Sequence, residues 1–139
     1  MRLLFICTHN RCRSILCEAI AQQRGAGVLQ AASAGSAPVA AVHPLTLRFL
    51  KARGYETQGL VSQSWEDLQS FAPDKVVTVC DSAAGEACPV WMGEVEKIHW
   101  GLPDPSRVEG SDADIEAAFM SVIDRIEDKV DSWLREAGR

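Results

Sequence analysis

Cys7 and Arg13 are separated by five residues in the stretch Cys7-Thr8-His9-Asn10-Arg11-Cys12-Arg13-Ser14. The apolar run Leu3-Leu4-Phe5-Ile6 precedes it, and Ile15-Leu16-Cys17-Glu18-Ala19-Ile20 follows with helical spacing. A cysteine ending a buried strand, a short loop and a helix start make a cradle for a tetrahedral anion. Loop N–H groups and the positive end of the helix favour negative charge there. The planar guanidinium of Arg13 adds a fork matched to two oxygens. The same field favours a thiolate on Cys7, so a nucleophile lies where the anion docks. Thr8, His9, Asn10, Arg11, Cys12, Arg13 and Ser14 are therefore the expected oxyanion-binding residues. Ser14 is expected either as the N-cap of the helix or as a hydroxyl donor to the Cys7 sulfur.

Alternating strand and helix patterns must position this loop. Strands are expected at 3–6, 28–33, 75–80 and 95–100, the third rich in β-branched residues. Helices are expected at 14–24, at 43–53 with Pro44 in the first turn, and at about 112–135. The last of these carries Ile115, Phe119, Val122, Ile123, Ile126, Val130 and Leu134 on one face. A further short helix is expected to open at Ser64, with Asp67 at the capping-box position. The segment 101–106 holds Pro103 and Pro105 and reads as irregular. Near-continuous apolar strands separated by helices imply an α/β fold. It would be one domain over 1–139, a four-stranded parallel sheet with helices on both faces. Ligands of such sheets bind beyond the carboxyl ends of the strands, where Cys7, Cys80 and Asp104 all fall.

The chain of 139 residues is long enough for a core without staples, and 47% apolar with 24% charged residues is ordinary for a globular protein. A net charge of −5 with no basic run argues against nucleic acid, so the anion site is a local positive pocket on an acidic protein. No apolar stretch is long enough to span a membrane, and the N-terminus does not read as a signal segment. A cytoplasmic monomer is expected. In that compartment the five cysteines read as catalytic more readily than structural. Their spacings contain no Cys-x2-Cys pair, and His9, His43 and His99 form no zinc-type set, so no metal is expected. Cys12 and Cys17 read as packing residues, His99 and Trp100 as supports of the 101–106 loop, and His43 as part of a helix start.

The whole chain resembles the low-molecular-weight tyrosine phosphatase superfamily, and within it the arsenate reductases coupled to a thiol-disulfide partner. The marks are Cys7-x5-Arg13-Ser14, Ser33-Ala34-Gly35, Cys80 with Cys88-Pro89, and His99-Trp100-Gly101 leading to Asp104-Pro105. The resemblance implies that Cys7 attacks arsenate held by Arg13 and the loop, with Asp104 as general acid. It further implies that Cys80 attacks Cys7 and Cys88 attacks Cys80, passing a disulfide outward. No tightly bound cofactor is implied, only an external thiol reductant, thioredoxin or glutathione with glutaredoxin. Phosphate and sulfate would compete with arsenate. Seven residues separate Cys80 from Cys88, one more than in the best-known thioredoxin-coupled pattern. Asn10 matches the family's loop asparagine, a residue suited to a left-handed backbone. His9 and Arg11 are bulkier and more basic than the residues often found there, and serve either to attract the anion or to face solvent. The alternative is a tyrosine or small-molecule phosphatase with the same loop and Asp104. Phosphatases of the family usually carry tyrosines after Asp-Pro, whereas Ser106-Arg107 follows here. A non-catalytic anion-binding or redox-sensing module would need neither Asp104 nor strand-end placement.

Overall fold

Leu3, Leu4, Phe5 and Ile6 are all buried, although successive strand residues point to opposite faces. Both faces of this strand are therefore covered, as a central parallel strand requires. The computed structural model describes residues 1–39, 41–79 and 95–136. Within them the elements run β1 (Arg2–Ile6), α1 (Arg13–Arg24), β2 (Gln30–Ala34) and α2 (Pro44–Ala52). A 3-10 helix (Trp65–Phe71), β3 (Lys75–Thr78), β4 (Glu96–His99), a 3-10 turn (Pro105–Arg107) and α3 (Asp112–Glu136) follow. The four strands form one parallel sheet in the order β2-β1-β3-β4, with Ile6 level with Ala34 and with Thr78. Strand carboxyl ends thus share one rim, and Cys7 leaves it from the interior strand β1.

Several boundaries differ from the periodicity. Val28 and Leu29 donate to the Gly25 carbonyl, so they close the turn after α1 and β2 starts only at Gln30. The expected third and fourth strands shorten to Lys75–Thr78 and Glu96–His99. Position 80 lies outside the described residues. Instead of being wholly irregular, the 101–106 loop closes into a 3-10 turn at Pro105–Arg107, because the Asp104 side chain caps it. Ser64 caps the Trp65–Phe71 helix through the amide of Glu66, while the amide of Asp67 bonds the Ser64 carbonyl.

The long helix α3 buries Phe119, Val122, Ile123, Ile126 and Val130, the interior stripe expected from its spacing. Each such side chain contributes roughly 1.5–3 kcal/mol. Phe119 stacks on Phe49 of α2, and Trp133 on Trp100, whose ring also meets Phe5. Arg24 of α1 pairs with Asp131 at 2.7 Å, and Arg53 after α2 with Glu127 at 2.7 Å. The exposed Arg24–Asp131 pair sets orientation more than stability, at about 0–1 kcal/mol, and the Arg53–Glu127 pair is half-buried. No helix among the described residues is long and apolar enough to cross a membrane.

Candidate functional site

The loop between β1 and α1 is held from behind by its carbonyl groups. Thr8 O accepts from the amide of Ala37, His9 O from Val39 N and the Ser62 hydroxyl, and Arg11 O from His43 N. Cys12 O accepts from Leu16 N inside the first helical turn. In a trans peptide the N–H points opposite to its carbonyl, and the described residues contain no cis bond. The amides of His9, Asn10, Cys12 and Arg13 thereby point opposite to these bonded carbonyls.

Asn10 sits at φ 48°, the left-handed turn expected of it, and is fully buried. Its side-chain amide donates to Ser14 Oγ at 2.8 Å and Ser33 Oγ at 3.0 Å, and its carbonyl oxygen accepts from Gln63 N at 2.8 Å. These three bonds tie the loop to α1, β2 and the 60s segment. Each partner left unsatisfied in the interior would cost about 1–3 kcal/mol, so this asparagine is costly to lose. Gly35 supports the loop by having no side chain. A Cβ there would stand 2.5 Å from Thr8 O and 2.8 Å from Cys7 O.

Ser14 does not cap α1. Cys12 occupies the cap position without a side-chain hydrogen bond to the helix, and Ser14 lies in the first turn as an acceptor for Asn10. The capping expectation fails because the serine is drawn into the Asn10 network. The consequence is useful: the first-turn amides are not filled by a capping oxygen and remain suited to an anion.

Ser33 passes the network on by donating to a Glu18 carboxylate oxygen. Burial pushes the Glu18 carboxyl up to about 7, against the opposing hydrogen bonds from Ser33. Folding thus favours the protonated form. The stability this contributes is complete below the ordinary carboxylate range and is lost as pH rises through about 7. Glu18→Gln keeps an oxygen for Ser33 and never ionises. Its thermal midpoint, read by calorimetry, should exceed wild type at pH 8 and nearly match it at pH 5. The same difference at both pH values would remove Glu18 ionisation as the cause.

Cys7, Thr8, His9, Arg11, Cys12 and Arg13 line one pocket with Asp104, which arrives from beyond β4. Its volume is about 230 Å3, below the roughly 300–1,000 Å3 of sites for drug-sized ligands. A small ion fits. Arg13 donates to Leu102 O at 3.1 Å and approaches Asp104 Oδ2 at 3.7 Å, and Arg107 Nε lies 3.5 Å from the same oxygen. Asp104 Oδ1 accepts from the amide of Ser106 at 3.0 Å and its hydroxyl at 2.6 Å. The carboxyl is therefore oriented from two sides. Burial pushes the Cys12 thiol up to about 12, against a smaller hydrogen bond with Thr46, and pushes Cys17 well above its ordinary value. Both remain protonated packing residues.

The fold brings Cys7 and Arg13 of one loop together with Asp104 from beyond β4. Asn10 and Ser14 lie behind the loop instead of in the pocket, as fully buried braces. Cys80 and Cys88 lie outside the described residues. The pocket gains three residues that the sequence reading did not select for it: His43, Ser106 and Arg107. Ser106-Arg107 was visible as the pair after Asp-Pro, but a His-Pro helix start carries no signal of facing an anion loop. Trp100 is buried against Phe5 and Trp133. His99 Nδ1 lies 2.8 Å from the Thr78 hydroxyl, and neither residue lines the pocket.

Residues 2–139 match the family model for low molecular weight phosphotyrosine protein phosphatase. The chain belongs to that family. Among its relatives in the low molecular weight phosphatase family, an arsenate reductase of Bacillus subtilis is 32% identical over 124 residues, 89% of this chain and 88% of that one. An arsenate reductase solved in the phosphate binding state superposes with a TM-score of 0.78 at 25% identity, covering 97% of each chain. A Corynebacterium glutamicum thioredoxin-dependent arsenate reductase gives 0.72 at 26% identity, covering 97% of this chain and 60% of that one.

Proposed function

We propose that this protein reduces arsenate to arsenite with thiol electrons. The observation that carries the reading is the convergence of Cys7, Arg13 and Asp104 on one small pocket whose loop carbonyls are bonded by the neighbouring segments. Arsenate binds between the Arg13 fork and those amides, and the Cys7 thiolate attacks arsenic. Asp104 gives a proton to the departing oxygen, which leaves as water. Oδ1 is held by the Ser106 amide and hydroxyl, which fixes the carboxyl at the pocket wall for this transfer. The Cys80 thiolate then attacks the Cys7 sulfur. The sulfur–arsenic pair of electrons stays with arsenic, which leaves as arsenite, and a Cys7–Cys80 disulfide remains. Cys88 attacks Cys80 in turn, giving a Cys80–Cys88 disulfide and restoring Cys7. An external dithiol, thioredoxin or alternatively glutathione with glutaredoxin, reduces that disulfide. The amide of Val79 donates to Ile6 O at 3.0 Å, so the chain leading to Cys80 and the chain leading to Cys7 leave the sheet side by side.

Phosphatase chemistry uses the same pocket and is the second reading. Ser106 and Arg107 line the pocket at the sequence positions after Asp-Pro where phosphatases of the family usually carry tyrosines, which disfavours an aryl ester. The deciding experiment is arsenite production by the purified protein with thioredoxin and its reductase, and separately with glutathione and glutaredoxin. Arsenite in neither, together with robust aryl-phosphate hydrolysis, would replace the reductase by the phosphatase.

Asp104→Asn isolates the acid step. The asparagine carbonyl still accepts from Ser106, so the loop keeps its turn while the transferable proton is lost. Single-turnover formation of the Cys7 adduct should slow on the order of a hundredfold or more, with phosphate affinity nearly retained. An unchanged rate would take Asp104 out of the reaction.

A further inference from the structure

His43 caps α2 with the wrong residue for the task. Asparagine, aspartate, serine and threonine lead at this position, and imidazole is not among the preferred caps. Its Nδ1 nevertheless accepts from the amide of Leu45 at 3.1 Å, and its own amide donates to Arg11 O at 2.9 Å. The second bond fixes the residue to the back of the anion loop, and the side chain lines the pocket. An imidazole whose Nδ1 accepts carries its proton on Nε2 when neutral.

We propose that His43 is an oxyanion-binding residue of the pocket, donating its Nε2–H to a substrate oxygen beside those held by Arg13 and the loop amides. The inference rests on the oxyanion reading of the pocket given above. The pocket that His43 lines is also lined by His9 and Arg11 of the loop, Arg13 at the start of α1, Asp104 and Arg107 beyond β4, and Cys7 and Cys12. Partial burial and the Arg11 charge hold the imidazole pKa below its ordinary value, against the weaker pull of Asp104. The ring is thus kept neutral and adds a donor without adding another cation. Two nitrogens divide the work: Nδ1 sets the helix and the ring plane, and Nε2 serves the anion.

Two substitutions separate these roles. His43→Asn places an acceptor near Nδ1, so the cap persists, and removes the distal donor. His43→Gln places an amide N–H near Nε2 and weakens the cap. Calorimetric titration with inorganic phosphate, alongside thermal midpoints, reads both. The asparagine variant should bind phosphate roughly tenfold or more weakly, since hydrogen bonds to charged groups are the strong ones, at an unchanged midpoint. The glutamine variant should keep most of the affinity and melt lower. Equal phosphate affinity in wild type and His43→Asn, or an equal loss in both variants, would overturn the proposal. Wild-type protein that binds no phosphate at all would instead bring down the oxyanion reading, and this inference with it.

Discussion

Cys7→Ser ends arsenite formation. Cys7, the proposed nucleophile, stands one residue past β1, 6% exposed, in the wall of the pocket. A serine there keeps nearly the same shape, so Arg13, Asp104 and the Asn10 braces should hold their places and phosphate should still bind. What vanishes is the thiolate. An alcohol next to the same dipoles stays protonated near neutral pH and offers arsenic no sulfur for a later disulfide. Loss of a nucleophile in a preorganised site typically costs on the order of 10^3-fold or more, and here there is no second route to electron transfer. The measurement is arsenite release over one and many turnovers with the reductant system in excess. Arsenite at even a tenth of the wild-type rate, from a variant with intact phosphate binding, would place the chemistry on another residue.

Cys88→Ser should release a single arsenite per molecule and then stop. In the proposed relay each thiolate attacks only the sulfur exposed by the preceding step, so removing the last one should strand the disulfide between Cys7 and Cys80. Cys80→Ser should halt earlier, at the Cys7 adduct, with no intramolecular disulfide. Peptide mapping after one exposure to arsenate without reductant distinguishes these species by mass. Wild type should show Cys80 joined to Cys88 under the same treatment. Full multiple turnover by Cys88→Ser with thioredoxin would sink the relay, and a glutathione adduct on a cysteine would direct attention to glutaredoxin. Hydrolysis of phosphate esters, where present, should be indifferent to both substitutions, because water and not a second thiol completes that reaction.

Much of this protein could be read from residue order, because its strongest signals are local. The apolar run Leu3–Ile6 became an interior strand because both faces of a parallel sheet are covered, and four consecutive apolar residues suit that place alone. Cys7 and Arg13 were selected less by their spacing, a loose pattern alone, than by their place at the first strand-to-helix turn, where the structure also puts them. The stripe on α3 followed its 3.6-residue period from Phe119 to Val130. Tertiary contacts decided the rest. Whether Ser14 would cap its helix depended on Asn10, which reaches it and Ser33, 23 residues away, at once. The start of β2 depended on the Gly25 turn and the level of Met1 against Val28. The proximity of Asp104 to Arg13 spans 91 positions and exists only because β4 ends on the same rim as β1. His43 entered the pocket through a backbone bond to Arg11, an interaction without any sequence signature. Composition and periodicity record what each segment prefers by itself, whereas a pocket is made by segments that meet only after the sheet has aligned their ends.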